Sequence, residues 1–175
     1  MLTKFKAMIG ALLAVSSATC AADTKVPVDL NKPVENPALI TAMQRVATDG
    51  SNAAKDQLIF ELQRANYLAA MFDDGLKKSP SSMVGETTIQ KGSTFGVLSA
   101  GKDGKNYLVL FTDWKALQLY TNKKVSGWVL PSKDAWAFVL EDKTYDGVVI
   151  NPAHNALPLE RPMLEFLARE ATKKH

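Results

Sequence analysis

The chain has 175 residues, 46% of them hydrophobic and 22% charged, with a formal net charge of +3. These values fit one globular domain, long enough to bury a core without covalent staples. Lys4 and Lys6 lie in the first 22 residues, and beyond them 19 basic residues face 18 acidic ones. This near-neutral balance argues against a nucleic-acid binder, which needs a concentrated basic face to displace counterions from phosphate. One cysteine, Cys20, excludes an internal disulfide and a CxxC site.

Residues 1–22 read as an export signal. Lys4 and Lys6 supply a positive start, and Ala7 to Val15 is an apolar core too short to span a bilayer. Small residues follow from Ser16 to Ala22, so cleavage after Ala21 or Ala22 is expected. The competing reading is a lipoprotein. Ser17-Ala18-Thr19-Cys20 is similar to a lipobox, which would leave Cys20 lipidated at the mature N-terminus. Soluble export to the periplasm is the favoured reading, with a lipid anchor in the envelope as the alternative. Membrane attachment is expected only if Cys20 is lipidated.

Residues 23–35 carry Pro27 and Pro33 without periodicity and read as a tether. A single domain is expected over 36–175. Asn36-Pro37 predicts a helix start, with Asn36 as cap and Pro37 at the first position. Leu39, Met43 and Val46 make its apolar stripe. Asp49-Gly50 closes it, with Gly50 expected in the left-handed conformation. Ser51 or Asn52 caps a second helix, whose inner face is Leu58, Leu62, Ala65 and Ala69. Met71 to Ser82 reads as a mobile loop. Gly85 to Leu98 reads as a strand pair or one bent strand.

Gly101-Lys102-Asp103-Gly104 predicts a hairpin turn. It leads into Tyr107 to Phe111, an apolar run expected to be a central strand buried on both faces. Thr112 or Asp113 starts a short helix that presents Trp114, Leu117, Leu119 and Tyr120. Gly127 to Leu130 reads as a short buried strand. Pro131 breaks it, and Ser132 caps a helix with Trp136, Val139 and Leu140 inward. Asp146-Gly147 turns into the buried strand Val148 to Ile150, which Asn151-Pro152 stops. A last helix starts near Arg161-Pro162 and turns Leu164, Leu167, Ala168 and Ala171 inward. The expected fold class is α+β: a mixed or antiparallel central sheet of four or five strands, with helices packed on it and two helices at the start.

Several of these segments together resemble a known family. Asn36-Pro37-x-Leu39, Glu61-Leu62 with Ala65, Asp103-Gly104-Lys105, Phe111-Thr112-Asp113-Trp114 and Asp146-Gly147-Val148-Val149-Ile150-Asn151-Pro152 are similar to the SseB N-terminal domain (enhanced serine sensitivity protein). The resemblance runs from Asn36 to Leu167. It implies a bacterial domain without agreed catalytic residues, some of whose relatives are associated with secretion or toxin loci. Usual members look cytoplasmic and carry a further C-terminal domain, whereas this chain reads as an exported single-domain member.

Catalytic and metal chemistry is not expected from the residues present. His175 is terminal, and His154 lies in the loop after Asn151-Pro152. There is no GxSxG, HExxH or cysteine nucleophile, and one usable histidine cannot make a zinc site. Asp73-Asp74 and Glu141-Asp142 read as surface charge. No catalytic residue, metal or cofactor is therefore assigned. Asn151 is expected to bond back to neighbouring main chain. Thr112, Asp113, Trp114, Asn151 and His154 together form the candidate recognition edge beyond the strand ends. Trp128 and Trp136 read as core, and Trp114 as partly exposed. The expected function is a periplasmic, non-enzymatic protein-binding domain. Its partner would be another protein, such as a secreted toxin or a secretion component. The alternatives are a hydrolase using Asp113 and His154, and a structural envelope protein anchored through Cys20.

Overall fold

A computed structural model describes residues 34–72, 78–80, 87–89, 96–123 and 125–172. The leader, Cys20 and the tether up to residue 33 lie outside the described residues, as do Asp73-Asp74, most of the loop expected before Ser82, and His175.

Helix α1 (Pro37–Thr48) and helix α2 (Asn52–Arg64) open the fold. Leu39, Ala42 and Met43 form the buried face of α1, and Ala54, Leu58 and Leu62 that of α2. Between them Gly50 is not left-handed, which corrects the expected stop. Asp49 makes the turn instead. Its carboxylate accepts from the Ser51 N–H and from the Ser51 hydroxyl, each at 3.0 Å. Ser51 in turn accepts from the Ala54 N–H, capping α2 as expected.

The second helix ends earlier than its spacing suggests. Ala65 is extended, and strand β1 (Asn66–Phe72) follows. Ala69 and Met71 therefore belong to a strand, not to a helix face and a loop. Strands β2 (Lys78–Pro80) and β3 (Thr87–Ile89) pair antiparallel as a separate two-stranded sheet. Strands β4 (Gly96–Val97) and β5 (Ser99–Lys102) are two halves of one bent strand. Leu98 at the bend donates to the Ala70 carbonyl and accepts from the Val109 N–H, both at 3.0 Å.

The hairpin turn forms as expected. Asp103 and Gly104 have φ of 52° and 79°, the paired left-handed residues of a tight Asp-Gly turn. It leads into β6 (Lys105–Phe111), whose last five residues are all buried. Leu108 and Leu110 enter one core, while Tyr107, Val109 and Phe111 enter the other. This is the central strand the apolar run predicts.

Helix α3 (Trp114–Tyr120), strand β7 (Ser126–Pro131) and helix α4 (Ser132–Glu141) connect β6 to β8 (Gly147–Ile150). Leu119 on α3 is 60% exposed rather than inward. Ser132 is the first helical residue of α4, not its side-chain cap. Its hydroxyl donates back to the Gln63 carbonyl and so ties α4 to the end of α2. Strand β9 (Leu157–Glu160) and helix α5 (Arg161–Thr172) complete the fold.

Among the described residues the main sheet has seven strands, more than expected. β7 pairs with one edge of β1, and β4 and β6 share the other edge. β8 runs parallel to β6, and β9 closes the far side antiparallel to β8. The sheet is mixed, and the arrangement is α+β. Helices α1, α2, α4 and α5 cover one face, with Trp136 in its centre. α3 packs on the other face around Leu117. The Trp136 ring tilts against Tyr67 at 5.2 Å, and its indole N–H is buried without an acceptor among the described residues. Trp128 is half-buried against the same core, edge-on to Phe138.

Arg161 locks the C-terminal end of α4. Its guanidinium donates to the carbonyls of Val139, Leu140, Asp142 and Tyr145. The first of these are carbonyls that a helix end leaves without partners. Arg161→Ala is expected to lower stability by about 2 kcal/mol or more, measured by urea unfolding, because the carbonyls lose a charged donor. Arg161→Lys should recover only part, since one ammonium cannot span the fork.

Burial pushes the Tyr145 phenol up to about 12, with the neighbouring Asp142 charge adding to it. Burial also pushes Tyr67 well above its usual range. The unfolded chain loses these protons first, so the folded state is disfavoured as pH rises above the ordinary value of 10. Stability should be flat with respect to these groups below pH 10 and fall between pH 10 and 12. Tyr145→Phe should make that fall shallower in a pH-dependent unfolding series.

Candidate functional site

The parallel strands β6 and β8 end side by side, and antiparallel β1 begins at the same end. Thr112 follows β6, and Asn151 follows β8. Asn151 has φ of 50°, a left-handed conformation that asparagine tolerates better than most residues. Its N–H continues the parallel ladder to the Leu110 carbonyl at 2.9 Å. Its side chain then turns onto Thr112. Oδ1 accepts from the Thr112 N–H at 3.0 Å, and Nδ2 donates to the Thr112 hydroxyl oxygen at 2.9 Å. Both residues are buried.

The chain of bonds continues in two directions. The Thr112 hydroxyl donates to Asp113 Oδ2 at 2.8 Å, and Asp113 Oδ1 accepts from the Ala116 N–H at 2.8 Å. Asp113 thus caps α3, the second of the two starts its sequence allows. In the other direction Asn36 Nδ2 donates to the Thr112 carbonyl at 2.7 Å and to the Asn66 carbonyl at 2.8 Å. Asn36 Oδ1 accepts from the Asn66 N–H at 3.3 Å. Asn36 therefore does not cap α1 with its side chain, which corrects the expected role. It fastens the start of α1 to β1 and β6.

The structure brings Thr112, Asp113 and Asn151 into one network and places His154 beside it. The His154 N–H donates to the Asn151 carbonyl at 3.0 Å, while the residue is exposed. Among the described residues no group of three or more His, Cys, Asp or Glu side chains could hold a metal ion.

Trp114 is half-buried, as expected. Its ring packs over β7 where Gly127 has no side chain. A Cβ at Gly127 would overlap the six-membered ring of Trp114 and would meet Leu68 Cδ1 at 2.6 Å. On its outer side Trp114 joins Asp113 and Lys115 in lining a cavity of about 350 Å³. The opposite wall is Val34, Glu35, Asn36, Pro37 and Ile40 at the start of α1. Sequence reasoning misses Ile40 and Lys115. Nothing local marks them, since Ile40 reads as one more apolar helix residue.

Residues 39–165 match the family model of the SseB protein N-terminal domain. The chain belongs to this family. The match takes in every strand of the main sheet, as well as Thr112, Asp113, Trp114 and Asn151, and it begins after Asn36. No curated protein and no solved structure matches the chain.

Asn151 holds the strand ends together through its side-chain bonds to the Thr112 N–H and hydroxyl. Asn151→Ala should leave the buried Thr112 N–H and hydroxyl short of partners and destabilise the domain by about 1–3 kcal/mol. Asn151→Asp should be no rescue, because it places a carboxylate on a buried site and loses the donor to Thr112. Chemical denaturation of the two variants checks both statements.

Proposed function

We propose that this SseB-family domain is a non-enzymatic protein-binding module that acts in the periplasm. It holds another protein, either a secreted toxin that it restrains or a component of a secretion system. The N-terminal pattern around Lys4, Lys6 and Ala7 to Val15 supports export.

The way the strand-end side chains are used favours binding over hydrolysis. A rim enzyme needs a nucleophile, a base within reach and a third group to orient the base. Thr112 commits its hydroxyl to Asp113 and Asn151. Asp113 gives one carboxylate oxygen to Thr112 and the other to the α3 backbone. His154 is exposed and joins the hydrogen-bond network through its backbone N–H.

The observation that carries the binding reading is the cavity between the starts of α1 and α3. Its walls supply Trp114, Ile40, Val34 and Pro37, with Glu35 and Lys115 as charged borders. An aromatic anchor in an apolar recess bordered by charge is the composition of a binding hot spot. The occupant is an apolar side chain of the partner protein. Both walls are fixed by the Asn36–Thr112–Asp113 bonds, so little ordering is required when the partner docks.

Capture from periplasmic extract on the tagged chain should yield one stoichiometric protein. Ile40→Glu and Lys115→Glu should weaken its binding by about tenfold or more with the thermal unfolding midpoint preserved. Absence of a stoichiometric partner overturns the reading. So does a partner held equally well by both variants.

A further inference from the structure

A second recess lies at the other end of β6 from Thr112, on the sheet face where α3 packs. It has a volume of about 390 Å³ and sits between the β5–β6 hairpin and β9. Tyr107, Gly147 and Glu160 stand in register across β6, β8 and β9. Gly147 gives this row no side chain, because the Leu159 carbonyl of β9 comes too close for a Cβ there. Lys105 reaches across β8 at this point, and its ammonium donates to Glu160 Oε1 at 2.6 Å. Val149 and Pro158, the next register pair, supply the apolar wall.

Two polar groups of the recess have unused capacity. Tyr107 is only 8% exposed, yet its phenol has no hydrogen-bond partner among the described residues. A phenol buried to this degree normally finds one. The Lys105 ammonium has three N–H donors, and Glu160 takes one of them. Both groups donate, so together they suit a carboxylate. The charges around the recess cancel, Lys102 and Lys105 against Asp103 and Glu160. Lys102 is engaged elsewhere and contributes only its charge. A lone anion would leave the recess with one negative charge in excess, and a lone cation with one positive. A molecule that carries both signs leaves it neutral.

We propose that this recess binds a small zwitterion, a free α-amino acid with a short apolar side chain. Its carboxylate accepts from the Lys105 ammonium and the Tyr107 hydroxyl. Its ammonium donates to Asp103 and to the second carboxylate oxygen of Glu160. Its side chain lies on Val149 and Pro158. The Tyr107 bond is the deciding one, since it gives a buried donor the acceptor that the described residues do not supply. The site is separate from the cavity beside Trp114 and needs no protein partner there.

Valine is the probe, titrated into the purified chain by calorimetry and placed by amide NMR shifts. Saturable binding with a Kd below about 1 mM is expected, with shifts at Lys105, Tyr107 and Val149 and none at Trp114. N-acetylvaline lacks the ammonium and valinamide lacks the carboxylate, so each should bind about tenfold more weakly or worse. Tyr107→Phe removes only the hydroxyl and should weaken valine binding by about tenfold with the thermal unfolding midpoint preserved. Lys105→Gln, on a half-exposed side chain, should give a similar loss without touching the core. Absence of saturable valine binding overturns the proposal. So does N-acetylvaline bound as tightly as valine, or full valine affinity in both variants.

Discussion

Everything at the strand-end rim of this domain hangs on the side-chain amide of Asn151 closing onto Thr112. Two parallel strands that end together leave backbone groups pointing into a region with no further strand. Here those groups are answered by side-chain amides. Asn151 serves the first residue after β6, and Asn36 serves the same residue's carbonyl from the opposite side. One residue, Thr112, is thereby held through its N–H, its carbonyl and its hydroxyl. Buried polar networks of this kind are stable only when every member is paired, so they fix one geometry and reject near alternatives. Three strands and the starts of two helices inherit their positions from it.

The central strand is legible because its signal is local. Five consecutive apolar residues after an Asp-Gly turn have few other solutions. β1 is hidden for the opposite reason. Ala65 and Ala69 continue the spacing of Leu58 and Leu62, so the helical period runs on through Asn66 with no proline or glycine to stop it. The stop is tertiary: Asn36 takes both backbone groups of Asn66, and β7 pairs with the residues beyond. Helix propensity is a weak prior against a strand vacancy in the centre of a sheet. β9 is hidden by Pro158, which reads as a breaker yet is acceptable on an outermost strand.

The candidate site is half legible. Asn151 at a strand end, followed by proline, announces a side chain that bonds to main chain, and it does so. Asp113 as a helix cap is equally local. Asn36 misleads because asparagine before Pro37 has the form of a helix cap, whereas its partners are 30 and 76 residues away. No periodicity encodes such a pairing. The α1–α2 corner misleads in a smaller way. An Asp-Gly pair after a helix reads as a stop that relies on glycine, yet the corner depends on the Asp49 carboxylate, and Gly50 there needs no special conformation.

The two faces of the sheet are covered unequally, and this decides where an open recess is left. Four helices bury one face around a single continuous core. On the other face α3 is short and leans on Trp114, whose ring occupies the space that Gly127 leaves empty. The cavity of about 350 Å³ opens where the start of α1 meets that ring. Both of its walls are tied to Thr112, one through Asn36 and one through Asp113. A recess whose walls share one anchor cannot widen by moving either helix alone. In the proposed binding role its selectivity would come from shape set during folding, because the same buried amides that hold the strands together also hold both walls.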